Sequence, residues 1–299
     1  MQELDEQRRP RDARLESRLS VNQMTFAGTT FENDVQTCRD VGILGLGLEA
    51  GKLEDGRDEE FAELLVAADI QATLCVPESP SLLPVALFGG SQDPRVRLGE
   101  MIASIRRLGR FRPSQFITLT GVGGVGDDSE QRRTVVEGYR RLGAAAADVG
   151  ALVGIEPIRA RFAPDSSIVS SVEEAANLID EIGAPNVGII YDVWHHFDSP
   201  TLLADIESYS SLFTIVQLGD APRGADHGIN RSIPGEGVVP FEAILDALER
   251  AGYTGWLDVE LLSDPDIPSP IPADLSPREV VTRAKAGIER AWPPTSPSR

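Results

Sequence analysis

Lysine occurs only twice in these 299 residues, at Lys52 and Lys285, cysteine twice and histidine three times. Two cysteines, Cys38 and Cys75, each in an apolar stretch, cannot build a disulfide framework, so a reduced interior is expected. Three histidines are too few for the histidine-rich, multi-metal cluster of a metal phosphodiesterase, which would also need a basic groove. Cationic side chains number 28 against 47 acidic ones, a formal charge of −19. Such a chain repels nucleic-acid phosphates and anionic membrane surfaces. No window approaches the roughly 18 uninterrupted apolar residues of a membrane span. The first 18 residues lack the apolar core of a secretory signal, so cytoplasmic residence is the expectation.

What is present is a globular composition, 41% apolar and 25% charged. Residues 1–18 alternate Arg with Asp and Glu and read as a charged, disordered tail; 293–299, rich in Pro and Ser, reads as a second. Between them, residues 19–292 form one domain without a low-complexity linker; the Pro/Ser/Leu-rich stretch 77–90 reads as a long loop over one face.

Short apolar runs alternate with helical patterns along this domain. The strand candidates are about 22–27, 44–48, 71–75, 115–119, 152–156, 187–191, 213–217 and 255–260. Phe31, Val35 and Cys38 share a helix face, and Ser171 with Glu174 reads as a capping box. Pro240 opens a helix over Phe241, Ile244, Leu245 and Leu248 that Gly252 stops, and Ser276-Pro277 opens another burying Val280, Val281, Ala284 and Ile288. Eight strand–helix units point to a single closed (β/α)₈ TIM barrel in the α/β class, with the open doubly wound sheet as competitor. Gly121, Gly123 and Gly126 satisfy G-x-G-x-x-G after the fourth run, but Asp127 and Asp128 would set two negative charges where a dinucleotide needs its pyrophosphate. A flexible loop at the barrel mouth is the better reading.

Strands five to eight end in oxygen donors: Glu156, Asp192, Gln217 and Glu260. In a parallel barrel these ends meet on one rim. Three carboxylates at close quarters repel, so one must protonate or a cation must sit among them. Oxygen-rich coordination favours Mg²⁺ or Mn²⁺ over Zn²⁺. Lys52, just after strand two and beside Glu49, is placed for substrate contact. Trp194 is placed as a sugar-facing wall or as core, and His227 lies in a glycine-bearing loop that could fold over the site.

Residues 23–262 resemble the xylose isomerase-like TIM barrels, a family of sugar and sugar-phosphate isomerases and epimerases. The resemblance is carried by Ile155-Glu156-Pro157, Asp192-Val193-Trp194-His195, Val216-Gln217-Leu218-Gly219-Asp220, Pro234-Gly235-Glu236-Gly237, and Gly252-Tyr253-Thr254-Gly255 leading to Val259-Glu260. It implies one divalent metal held by Glu156, Asp192, Gln217 and Glu260. The strand-seven ligand is commonly histidine, so Gln217 is a departure that offers a neutral, weaker donor. The resemblance also implies substrate roles for His195, as orienter or proton carrier, and for Arg231, and makes Asp220 an outer residue orienting the ligands. The implied chemistry is proton transfer through a metal-stabilised enediolate, with Glu156 and Glu260 as acid and base on a small carbohydrate. A lyase on the same scaffold, a dehydratase or deglycosidase acting on a keto-sugar, is the alternative, followed by a non-catalytic sugar-binding barrel. A homo-oligomer or partner subunit is left open.

Overall fold

The computed structural model describes residues 13–26, 28–224 and 228–293. Eight parallel strands close on themselves in chain order. They are β1 (Leu19–Asn22), β2 (Gly45–Glu49), β3 (Gln71–Val76), β4 (Gln115–Thr118), β5 (Leu152–Ile155), β6 (Val187–Asp192), β7 (Phe213–Leu218) and β8 (Leu257–Val259). The helices that follow them in turn are α1 (Phe31–Val41), α2 (Asp58–Ala68), α3 (Pro94–Leu108), α4 (Asp128–Ala147), α5 (Val172–Ile182), α6 (Leu202–Tyr209), α7 (Phe241–Arg250) and α8 (Pro277–Ala291). The single (β/α)₈ barrel expected from the alternation is therefore the fold, and the open sheet is excluded by the pairing of β1 with β8.

The period-two alternation of each strand divides the core into two shells. Leu46, Leu48, Val153, Ile155, Ile189 and Tyr191 point outward and pack with the apolar faces of the helices. Leu74, Ile117, Ile190 and Ile215 point inward and, with Val76 and Trp256, fill the barrel. Full burial of each such Ile or Leu contributes about 1.5–3 kcal/mol. Several inward positions are glycine because the barrel has no room for more: a Cβ on Gly154 would lie 2.1 Å from Ile190 Cδ1.

The first strand is shifted relative to expectation. It runs Leu19–Asn22, while Gln23–Thr25 turn into a short 3₁₀ segment capped by Asn22, whose Oδ1 accepts from the Met24 amide at 3.0 Å. The apolar pattern through Phe26 continues past the strand because Phe26 packs in the outer core beyond its end. The last part of the expected N-terminal tail is structured: Ala13–Glu16 form a helical turn, Leu15 is buried, and Arg18 donates to the carbonyls of Gly255 and Tyr253. Residues 1–12 and 294–299 lie outside the described residues.

Helix starts follow the local chemistry. Ser276 and Glu279 form a reciprocal capping box at α8. At α5, Ser171 caps the Glu174 amide, but the Glu174 carboxylate accepts from Ser170 instead of Ser171, so the box expected there is only half made. Of the G-x-G-x-x-G glycines, Gly121 serves close packing, whereas a Cβ on Gly123 would meet nothing within 4 Å. Gly121 has φ +70°, and a Cβ there would lie 1.9 Å from the Leu83 carbonyl oxygen, because the loops after β3 and β4 are laced together by Leu83 N–H to Thr120 O and Val122 N–H to Pro84 O. Asp127 itself caps α4, accepting from the Glu130 amide, so the chain's own carboxylate takes the place an anionic ligand would need. Among the described residues, no helix is long and apolar enough to cross a membrane.

Candidate functional site

Asp192 ends β6, Gln217 lies near the end of β7, and Glu156 and Glu260 follow β5 and β8 by one residue. All four side chains are buried. Their strands are consecutive, and Asp192 pairs directly with Gln217 in the ladder, so the four side chains lie at the C-terminal mouth.

A buried guanidinium stands at the centre. Arg231 is 1% exposed; its Nη2 lies 2.7 Å from Asp192 Oδ2 and its Nη1 2.6 Å from Glu260 Oε2. Burial pulls the guanidinium's pKa down, but Asp192 and Glu260 outweigh it and hold the group above its ordinary value. Trp194 is not a wall open to ligand. It is 4% exposed, with the guanidinium of Arg231 5.1 Å and that of Arg159 5.4 Å from its ring centroid. It therefore packs against Arg231 and fixes its plane.

The two catalytic candidates differ. Glu260 is fully engaged: Oε1 accepts from Asn22 Nδ2 at 2.9 Å and from Gln217 Nε2 at 2.6 Å, and Oε2 from Arg231. Glu156 makes no side-chain hydrogen bond among the described residues, and its nearest charged or titratable contact is His195 Nε2, at 3.4 Å. Burial raises both carboxyls above the usual range, Arg231 opposing it in each case.

Glu156, Asp192 and His195 each offer one ligand-type atom, all within 4.8 Å of one another. The hydrogen bonding of the imidazole bears on its role there. The Arg159 amide N–H donates to His195 Nδ1 at 3.2 Å, so in the neutral ring the proton sits on Nε2, facing Glu156 and, at 3.7 Å, Asp192. Burial pushes this histidine down to about 4, which keeps it neutral at pH 7. His195 is thus a donor beside the carboxylates. Gln217 is the complementary case: its Nε2 is spent on Glu260, and its buried Oε1 has no hydrogen-bond partner among the described residues. An orphaned buried acceptor is costly, and a cation is one way to satisfy it.

Other expected positions are placed differently. Asp220 touches none of these side chains. Its Oδ1 accepts from the amides of Ala221 and Val239 and its Oδ2 from those of Gly235 and Gly237. It shapes the loop whose start, Ser232, pairs with Asp220 through the backbone, and so acts on Arg231 by way of the chain. Lys52 is not available to a ligand: its Nζ is bonded to Asp34 at 2.7 Å, to Phe26 O at 2.9 Å and to Thr29 at 3.2 Å. His196, the next residue after His195, carried no expected role and stacks on the outward-facing Tyr191, away from the mouth. His227 lies outside the described residues.

Three contributors were missed in the sequence. Asn22 was hidden by the displaced first strand. The Arg159 amide carried no side-chain signal. Asp258 lies two residues before Glu260 on the same inward face, and burial pushes its carboxyl up to about 8; the alternation of β8 was the signal for it.

The model of the xylose isomerase-like TIM barrel family matches residues 35–286, most of the barrel. The chain belongs to that family. Among curated members, an inosose dehydratase of Klebsiella pneumoniae is 27% identical over 177 residues, 53% of this chain and 56% of the relative. A D-psicose 3-epimerase of Enterocloster bolteae is 29% identical over 130 residues, 43% of this chain and 40% of the relative. The chain thus spans about half the length of the curated relatives it matches. Among solved structures, an IolI protein with a bound zinc atom aligns over 92% of this chain and 97% of its own at a TM-score of 0.73 and 18% identity, a likeness of fold.

Proposed function

We propose that this family member is a divalent-metal-dependent isomerase or epimerase of a sugar or related polyhydroxy carbonyl compound, acting by proton transfer at the carbon beside the carbonyl. The observation that carries the reading is the charge balance at the mouth. Three buried carboxylates, Glu156, Asp192 and Glu260, face a single guanidinium, with the orphaned Gln217 Oε1 beside them. A fourth buried carboxyl, Asp258, is left out of the balance because burial pushes it up to about 8, which favours its neutral form at pH 7. Desolvation costs several kcal/mol per ion, so two uncompensated buried negative charges call for a divalent cation or for protonation. The donor chemistry suits such an ion: Glu156 and Asp192, with oxygens within 4.8 Å of each other, would hold it together with Gln217 and with Glu260, whose oxygens now accept from Asn22, Gln217 and Arg231, and an all-oxygen set favours Mn²⁺ or Mg²⁺. When bound, the ion supplies Lewis-acid stabilisation of negative charge developing on a carbonyl oxygen.

The remaining work falls to the chain. Glu156, without a side-chain hydrogen bond among the described residues and with a carboxyl raised by burial, is suited to take a proton from carbon and hold it at Oε1 or Oε2. Glu260, fixed by Asn22, Gln217 and Arg231, is the oriented partner that returns a proton from the other side. His195 donates through Nε2–H to an oxygen of the substrate or to Glu156. Arg231, steadied by Trp194 and by the loop that Asp220 shapes, holds the charge of Asp192 and Glu260 apart.

A lyase reading rests on the similarity to the inosose dehydratase. The same proton abstraction with a hydroxyl β to the carbanion gives water loss. The distinguishing experiment is incubation of Mn²⁺-loaded protein in D₂O with D-psicose and with inosose. Solvent deuterium retained in a ketose product supports the epimerase, a dehydrated product supports the lyase, and no exchange with either overturns both.

A further inference from the structure

Across the barrel from the charged half of the mouth stands a carboxylate that the proposed chemistry does not use. Glu49 ends β2, which lies diametrically opposite β6 in the eight-strand ring. Its side chain belongs to the interior face. Leu46 and Leu48 of the same strand pack in the outer core, whereas Cβ atoms on Gly45 and Gly47 would meet Thr73, Ser20, Trp256 and Leu74 inside the barrel. Glu49 continues that inward row and pairs in the ladder with Val76, itself packed on the interior cluster. It is half-buried, and among the described residues its carboxylate makes no hydrogen bond and no ion pair. Its amide donates to Gln23 Oε1; the nearby ammonium of Lys52 attracts the carboxylate through space but is bonded to Asp34, Phe26 O and Thr29, and burial outweighs that attraction and raises the carboxyl's pKa.

We infer that Glu49 is a specificity-determining residue that accepts hydrogen bonds from hydroxyl groups at the far end of a neutral polyhydroxy substrate and repels substrates carrying a phosphate or carboxylate there. The inference rests on the functional reading above. A carboxylate is acceptor-only and can take two hydroxyl donors side by side, which suits vicinal hydroxyls. The same charge disfavours an anionic end, because the Lys52 ammonium that attracts it is shared with Asp34 and offsets it only in part. A substrate bound at strands five to eight by its reacting end and reaching across the mouth meets Glu49 and Val76.

The test is the rate of solvent-deuterium exchange by the Mn²⁺-loaded protein with D-psicose, inosose and D-psicose 6-phosphate, in wild type, Glu49→Gln, Glu49→Ala and Glu49→Asp. Wild type is expected to prefer the neutral ketones. Glu49→Gln and Glu49→Ala are expected to raise KM for them by about ten-fold or more with kcat little changed, since each loses a charged hydrogen-bond acceptor, and Glu49→Asp to recover part of the loss. A wild type that prefers the phosphorylated ketose, or a KM for the neutral ketones indifferent to Glu49, overturns the inference alone. Absence of exchange with every ketone overturns the functional reading and the inference together.

Discussion

The two halves of the barrel mouth are built on different principles. Strands β5 to β8 deliver Glu156, Asp192, Gln217 and Glu260 around the guanidinium of Arg231, a cluster whose members are buried and mutually dependent. Strands β1 to β4 deliver Asn22, Glu49 and Val76, and the loops after β3 and β4 are locked together by close backbone packing at Gly121. One half carries charge that must be balanced, and the other carries shape and a carboxylate, Glu49, that makes no hydrogen bond or ion pair among the described residues. On the proposed function, chemistry is concentrated where neighbouring strand ends would share a cation, and the opposite wall would set which molecule fits.

The largest expected effect lies in the charged half. Glu156→Gln removes the proton acceptor and is expected to lower kcat by about 10²–10⁴ while leaving the fold intact by circular dichroism. Glu260→Gln is expected to abolish turnover as well, but at a cost in stability, because Asn22 and Arg231 each lose a charged acceptor. Unchanged kinetics in either variant would remove that residue from the mechanism.

Arg231→Met comes next. It leaves Asp192 and Glu260 buried without their cation, a loss of about 3–5 kcal/mol by thermal or denaturant unfolding of metal-free protein. Added Mn²⁺ is expected to recover more stability in this variant than in wild type, since the ion then meets no competing guanidinium. Equal recovery in the two proteins would separate Arg231 from the cation's place.

Gln217→His sharpens the comparison within the ligand set. An imidazole nitrogen in place of a neutral amide oxygen is expected to tighten Zn²⁺ binding by about ten-fold or more relative to Mn²⁺, measured by competition titration. Unaltered metal preference would mean that the Oε1 of Gln217 is satisfied by something other than an ion.

The smallest effect is on the outer side of the site. Burial pushes His196 down to about 3 from an ordinary 6.5, so the unfolded chain takes up a proton that the folded chain refuses. Stability attributable to this residue is present above 6.5 and is lost as pH falls from 6.5 toward 3, about 2 kcal/mol by pH 5. His196→Phe, which keeps the stacking on Tyr191, is expected to flatten the fall in Tm between pH 7 and pH 5; a slope equal to wild type would contradict that assignment.

The barrel was legible because eight apolar runs with helices between them admit few closed arrangements, and because strand-end carboxylates such as Glu156 and Asp192 break an apolar run abruptly. Asn22 was not legible, since the apolar pattern of β1 flows into the turn that holds Phe26 and so hides where the strand stops. Lys52 and Asp220 lay near the right places, but which partners consume a side chain is decided by tertiary neighbours: Asp34 for the first, four backbone amides for the second. Trp194 read equally well as wall or as core, and only packing against two guanidiniums distinguishes them.

The most direct measurement is calorimetric titration of Mn²⁺ into chelator-treated protein, in wild type and in Asp192→Asn. The proposed function predicts one ion per chain in wild type and affinity at least about ten-fold weaker in the variant. Wild-type protein that takes up no ion, or a variant that binds as tightly as wild type, would contradict it.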